Sequence, residues 1–87
     1  MTWQMYVLRC ADRTLYTGAT NDLKRRLRAH NSGSGAKYVK TRRPAVLVAS
    51  WEYPDRSTAL RAEAAFKKLT RAEKLAHIQN PSSWRFP

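Results

Sequence analysis

The chain has 87 residues, of which 43% are hydrophobic, 17 are Lys or Arg and 6 are Asp or Glu, so its formal net charge is +11. This length predicts one domain, residues 1–87, with one modest core, and the hydrophobic content argues against disorder. Arginines outnumber lysines by 11 to 6, and the planar guanidinium suits contact with phosphate, so nucleic acid is favoured as a partner over an anionic membrane surface.

The cysteine content excludes two further classes of protein. Cys10 is the only cysteine, so the chain cannot form an internal disulfide, and without a Cys/His cluster a zinc site is not expected. The first residues have no basic leader, and the apolar stretches are too short for a signal peptide or a membrane span. We therefore expect Cys10 to be a buried thiol in a cytoplasmic protein.

Two strands joined by a tight turn are predicted first. The segment WQMYVLRC, residues 3–10, is rich in aromatic and aliphatic residues, ADRT follows as turn material, and LYTGAT, residues 15–20, forms a second short strand. An antiparallel hairpin of this kind brings Tyr6 and Tyr16 close together when both point to the same face.

A basic helix follows the hairpin and runs to about residue 31. Residues 20–22, Thr-Asn-Asp, offer the side chains that cap a helix. Leu23 and Leu27 form its apolar stripe, whereas Arg26 and His30 share another face. A solvated basic surface would explain these two residues, but the nearby tyrosines make a convergent polar set the alternative.

A basic loop at residues 32–44 connects this helix to the next strand. The segment SGSGAKYVKTRRP contains turn residues and predicts a loop with one helical turn around residues 36–40. Such a loop suits backbone phosphates and one stacked base, and predicts binding with low sequence specificity and strong salt dependence. The residues expected to bind nucleic acid are Arg25 on the helix and Lys37, Tyr38, Lys40, Arg42 and Arg43 in the loop.

The second half of the chain predicts one strand and two helices. AVLVASWEY, residues 45–53, is the clearest strand. Ser57 is expected to cap a helix with the core stripe Leu60, Phe66 and Leu69. Thr70 and Glu73 have the spacing of a capping box, so a last helix runs from there to about residue 79, and the aromatic residues of the tail are expected to dock on the body. The element order is β-β-α-β-α-α, an α/β (α+β) arrangement of a three-stranded sheet with helices.

Glu63 is the acidic residue that this pattern does not explain. It lies three residues from Leu60 and three from Phe66, beside the face expected to be buried, and a buried carboxylate is costly unless it is paired. An ion pair with Arg61, Lys67 or a more distant arginine is one reading. Binding of a divalent cation is the other, and among the six acidic residues Glu63 is the best candidate for it.

These motifs together resemble the GIY-YIG nuclease domain. QMYVLR, then YTG, then a helix with Arg26 and His30, then a helix with Glu63 follow the order and spacing of that family over residues 3 to about 80. TNDLKRRLRAHNSG and ALRAEAAFKKLTRAEK are similar to the small stand-alone bacterial members. The resemblance implies a three-stranded antiparallel sheet flanked by helices.

The resemblance also implies site residues and chemistry. The matching positions are Tyr6 in the first motif, Tyr16 and Gly18 in the second, Arg26 as the arginine, His30 at the His or Tyr position and Glu63 as the metal ligand. It implies hydrolysis of DNA phosphodiesters with one Mg²⁺ or Mn²⁺, for example in DNA repair or processing. Gln4, Thr17 and Ala19 depart from the family pattern, and no residue is assigned to the asparagine that some members carry.

Each implied role has a physical reason. A cation at Glu63 neutralises the phosphate, Arg26 stabilises the charged transition state, and a tyrosine, Tyr6 in preference to Tyr16, accepts a proton from water with His30 as the next acceptor. Two alternatives stay open: a nucleic-acid-binding module without catalysis, and a docking domain for an acidic protein. Glu63 separates the nuclease from the binding module, because a protein that only binds phosphate gains nothing from an acid there.

Overall fold

Three antiparallel strands form the centre of the computed structural model, which describes residues 2–86. The predicted three-stranded antiparallel sheet with flanking helices is confirmed. The strand order is β2-β1-β3, so both outer strands pair with the first. The elements are β1 (Trp3–Arg9), β2 (Leu15–Thr20), α1 (Leu23–Ser32), α2 (Lys37–Lys40), β3 (Val46–Tyr53), α3 (Arg56–Lys67), α4 (Arg71–Gln79) and a 3₁₀ turn (Pro81–Ser83).

The alternation of side chains along β1 divides the molecule into two cores. Met5 and Val7 point to the side covered by α3, where they join Phe66 in one buried cluster. Tyr6 and Leu8 point to the other side, where the leucines of α1 and the buried Val39 of α2 pack against them. This period of two is a property of any strand, so the sequence of β1 decides which residues reach the side covered by α1.

The N-terminus of α3 differs from the expectation. Asp55, and not Ser57, is the cap: its side chain accepts a hydrogen bond from the backbone N–H of Thr58 at 2.8 Å, and Ser57 already lies within the helix. Leu60 is 39% exposed, because it is six residues from Phe66 and lies on another face of the helix, whereas Ala59, Ala62 and Phe66 share one face and are fully buried. The predicted place of Leu60 in the core stripe is therefore wrong, and Leu69 packs at the edge of the same cluster.

The other predicted boundaries agree well with the structure. Asp22 caps α1 and accepts from the N–H of Arg25, and Thr70 and Glu73 form the expected capping box of α4. Trp84 of the tail packs edge-on against Phe66, and its indole N–H donates to the Tyr53 hydroxyl at 2.9 Å. Among residues 2–86, no helix has the length and apolar character needed to span a membrane.

Candidate active site

A buried hydrogen bond between Tyr6 and His30 lies at the centre of the site. The Tyr6 Oη and His30 Nε2 atoms are 2.9 Å apart, and the two side chains are 1% and 0% exposed. Tyr6 comes from the middle of β1 and His30 from the last turn of α1, so the packing of that helix on the sheet creates the contact. The sequence placed His30 on a helix face but gave no indication that it is fully buried.

The second ring nitrogen of His30 determines the direction of this bond. The backbone N–H of Ala36 donates to His30 Nδ1 at 3.2 Å, so Nδ1 carries a lone pair. A neutral imidazole then has its proton on Nε2, which donates to the Tyr6 oxygen. This geometry reverses the expected direction: His30 does not accept the Tyr6 proton in this arrangement but stabilises negative charge on the phenol oxygen.

Burial shifts the titration of both groups. It raises the pKa of Tyr6 to about 12, an effect that the nearby Arg26 guanidinium partly opposes. It lowers the pKa of His30, and the positive charge of Arg26 lowers that pKa further. Arg26 is exposed, and its positive charge acts on both groups.

The shift of His30 makes the stability of the fold depend on pH. Because the pKa of His30 is lower in the folded state, the unfolded chain binds a proton more readily below its ordinary value of about 6.5. We expect the urea midpoint to be highest above that pH and to fall as the pH drops towards about 5. The lowered pKa values of Asp12, Asp55 and Glu73 act in a separate window, because their contribution to stability is lost only below about pH 4.5.

Urea unfolding of His30→Gln tests this assignment. The variant is less stable at neutral pH, because the buried hydrogen bonds change, but its midpoint between about pH 7 and 5 varies less than that of the wild type. His77→Gln is the matched control, since His77 is the other histidine of the chain. If the change of the urea midpoint with pH disappears in the His77 variant and persists in the His30 variant, the assignment to His30 is contradicted.

A stack of aromatic rings closes the site towards α2. The Tyr16 ring lies 6.5 Å from the Tyr6 ring and 5.3 Å from that of His30, measured between centroids. Tyr38 stacks on Tyr16 at 6.0 Å, and the guanidinium carbon of Arg42 lies 3.9 Å from the centre of the Tyr38 ring. Tyr38, expected to stack on a base, is thus already engaged by Tyr16 and Arg42, and it positions the second tyrosine.

Gly18 provides the space for Tyr6. It is the direct partner of Tyr6 across the two strands, and a Cβ at this position would lie 2.6 Å from the Tyr6 hydroxyl and 2.7 Å from the ring carbon that carries it. No side chain fits there without moving Tyr6. The glycine of YTG is therefore explained by the close approach of the phenol rather than by an unusual backbone angle.

Glu63 lies on α3, which packs on the other side of the sheet from α1. Its side chain is 17% exposed and its Oε2 lies 2.8 Å from the Lys67 Nζ, so the ion pair that the sequence left open as one alternative is present. Its negative charge adds a small increase to the pKa of Tyr6, which burial raises most. Among residues 2–86, no group of three or more His, Cys, Asp or Glu side chains is arranged so that it could hold a metal ion.

The basic residues predicted to bind phosphate fall into two groups. Arg42 forms an ion pair with Asp12 at 3.1 Å, and Arg43 donates to the backbone oxygens of Lys40 and Asn31, so both help to hold the loop. Arg25, Lys37 and Lys40 are exposed. Arg25 and Arg26 line a polar groove of about 450 Å³ along α1.

Sequence reasoning missed the contacts that fix the loop over His30. Asn31 binds both backbone groups of Ala45, accepting from its N–H at 2.8 Å and donating to its carbonyl at 3.0 Å. A Cβ at Gly35 would lie 2.5 Å from His30 Nδ1. The spacing of SGSG after a helix indicated a turn, but only the folded chain shows that this turn delivers the Ala36 N–H to the imidazole.

The sequence of this chain is similar to a known protein family and to individual known proteins. The model of the GIY-YIG catalytic domain matches residues 2–76. A UPF0213 protein of Streptococcus agalactiae is 53% identical over 75 residues, covering 86% of this chain and 85% of its own. A UPF0213 protein of Xanthomonas axonopodis pv. citri is 49% identical over 77 residues, covering 88% and 76%.

Two solved structures share the fold. The solution NMR structure of a protein from E. faecalis has a TM-score of 0.65 and 38% identity, and covers 100% of this chain and 93% of its own. That of a UPF0213 protein from Bacillus halodurans has a TM-score of 0.59 and 42% identity, and covers 91% and 84%. The names of these relatives describe no activity.

Proposed function

Because the chain belongs to the GIY-YIG catalytic domain family, we propose that it is a metal-dependent endonuclease that hydrolyses DNA phosphodiester bonds with low sequence specificity. The observation that carries the proposal is the buried 2.9 Å bond between Tyr6 and His30, beside Arg26 and within the field of Glu63. A protein that only binds nucleic acid needs exposed arginines, but it does not need a buried phenol whose oxygen accepts from an imidazole.

The proposed base is Tyr6. An attacking water gives its proton to the Tyr6 oxygen, and the His30 Nε2–H holds the charge on that oxygen before the transfer. A pKa near 12 leaves little phenolate at neutral pH, so the site needs added positive charge near Tyr6 when substrate is bound. Tyr16, which is only partly buried, packs against Tyr6 and orients it.

Arg26 is proposed to stabilise the transition state. Its exposed position on α1 allows its N–H groups to donate to the phosphate oxygens, where negative charge increases as the water attacks. The same positive charge lowers the pKa of Tyr6. Arg26 thus acts on both the base and the phosphate.

Glu63 is the residue proposed to hold a cation. Mg²⁺ is commonly held by one or two carboxylates together with water and substrate phosphate, so a single carboxylate fits it, and Mn²⁺ accepts similar oxygen ligands. A bound divalent ion supplies charge neutralisation at the phosphate and at the leaving oxygen. Lys67, the present partner of Glu63, is exposed on one turn of the same helix and can move away without disturbing the core.

DNA binding is expected to depend strongly on salt. Arg25, Lys37 and Lys40 are placed to contact backbone phosphates, and each contact adds about 0.9 to the slope of log affinity against log salt for duplex DNA. Lys37→Gln with Lys40→Gln should reduce that slope by about two, as measured by fluorescence anisotropy in EDTA. An unchanged slope would show that α2 does not contact the phosphate backbone.

A cleavage assay separates the proposed nuclease from a binding module. Labelled single-stranded, duplex and branched DNA, with an RNA control, are incubated with the protein in Mg²⁺, Mn²⁺ or EDTA, and binding is measured in parallel. The proposal expects cleavage with metal and binding without it. Binding of DNA in EDTA with no cleavage of any substrate in either metal would favour the non-catalytic module.

A further inference from the structure

A pocket with three arginines lies at the end of the sheet, away from the Tyr6–His30 pair. Its volume is about 540 Å³, and Arg9, Arg13 and Arg71 line it together with the apolar side chains of Val46 and Leu75. Val46 and Leu75 are 51% and 37% exposed. None of the described residues that line it is acidic, so a strongly positive wall faces an apolar floor.

The arginines reach the pocket from separate elements. Arg9 is the last residue of β1, Arg13 lies in the turn before β2, and Arg71 begins α4. Arg71 is held in place, because its guanidinium donates to the backbone oxygen of Arg13 at 2.8 Å. Among the ion pairs of residues 2–86, none involves these three arginines, which leaves their charges available to a ligand.

The pocket adjoins the basic segment of residues 37–43 at the end of the sheet. The N–H of Ala11, at the rim of the pocket, donates to the Arg42 oxygen at 2.9 Å, and Arg42 binds Asp12 of the same turn. A positive surface therefore runs from α1 and α2, around the end of the sheet, to α4. Its two ends lie on opposite sides of the sheet, because Arg9 shares the side of Met5 and Val7, and Tyr6 points to the other.

From this continuity we propose that the pocket binds a single-stranded segment of nucleic acid that leaves the candidate active site and passes around the end of the sheet. Guanidinium groups bind phosphate through paired bonds, and the apolar floor accepts the bases. A duplex is too stiff to follow such a turn over a molecule whose extents are 32 × 31 × 18 Å. The proposal deepens the proposed function, on which its choice of ligand rests, but it concerns binding alone.

The test compares single-stranded DNA of increasing length in EDTA, where no cleavage is needed. In the wild type, oligonucleotides long enough to reach the pocket bind more tightly than short ones. Arg9→Gln, Arg13→Gln and Arg71→Gln combined should abolish this gain, weakening long single strands about tenfold and lowering the salt slope by about two. The affinity for a linear duplex stays unchanged.

The control removes the same charge elsewhere. Arg61, Lys68 and Arg85 are exposed and outside the pocket, and their combined replacement by Gln changes the affinity for long and short strands by the same factor. Leu75→Glu, which adds a carboxylate to the pocket floor, gives an independent variant if the triple replacement unfolds. An equal loss of affinity for long single strands in the pocket and control variants would overturn the proposal. A second outcome would also overturn it: if the three replacements weaken binding of a fluorescent polyglutamate peptide but not of single-stranded DNA, the ligand of the pocket is an acidic protein.

Discussion

Glu63→Gln is expected to reduce metal-dependent DNA cleavage by about 10³-fold while leaving DNA binding in EDTA within about twofold. The change keeps the shape of the side chain but removes the negative charge that holds the cation. The loss corresponds to several kcal/mol of transition-state stabilisation supplied by that cation. Single-turnover cleavage in Mg²⁺ and in Mn²⁺ measures it.

Lys67→Gln distinguishes this role from that of an ion pair. If Glu63 only formed the 2.8 Å ion pair with Lys67, replacing either partner would have the same small effect on stability and on cleavage. An ion pair with one exposed member contributes little to stability. The proposed role predicts that Lys67→Gln keeps cleavage within a few-fold of the wild type, or increases it. Equal activity of the two variants would remove Glu63 from the proposed mechanism.

Tyr6→Phe is expected to lower the cleavage rate by about 10²- to 10⁴-fold, the usual range for loss of a general base. The proposed base acts as a phenolate, and burial raises the pKa of Tyr6 to about 12. The wild-type rate should therefore rise about tenfold per pH unit between about pH 7 and 9, and this rise should be absent in the variant. Single-turnover rates over that range provide the measurement.

Tyr16→Phe is the matched control for this prediction. Tyr16 lies next to Tyr6 but is only partly buried, and the hydrogen bond to His30 belongs to Tyr6. We expect a smaller loss of rate and the same dependence on pH as in the wild type. If the pH dependence is lost in the Tyr16 variant and retained in the Tyr6 variant, the base is the second tyrosine. Tyr6→Phe also leaves the His30 N–H without its acceptor, which destabilises the fold. The cleavage rates of the two variants are therefore compared at pH values at which both proteins are fully folded.

Much of the fold follows from local signals in the sequence. The aromatic and aliphatic residues of WQMYVLRC and the turn signal of ADRT predicted the hairpin, and the Thr70–Glu73 spacing predicted a helix start that the structure has. The Ser57 prediction failed because Asp55 caps α3 instead. The Leu60 prediction failed because six residues separate Leu60 from Phe66, which places them about 120° apart around the helix, whereas Ala59, Ala62 and Phe66 share one face.

The residues of the candidate site could be predicted from the sequence, but the contacts between them could not. Tyr6, Tyr16 and His30 were grouped by strand and helix periodicity, and the structure brings them together. The burial of His30, the Ala36 N–H on its ring and the use of Tyr38 as a support for Tyr16 depend on how α2 packs over α1. These contacts join segments through a loop whose path local propensity does not determine.

The most direct test of the central claim is the relaxation of supercoiled plasmid DNA by the purified protein in Mg²⁺ and in EDTA. Arg26→Ala, purified identically, controls for contaminating nucleases because the exposed side chain contributes little to the fold. We expect the wild type to nick the plasmid in Mg²⁺ but not in EDTA, and the variant to nick it about 10²-fold more slowly or less. No nicking in Mg²⁺, or equal nicking by the two proteins, would show that the site does not cleave DNA.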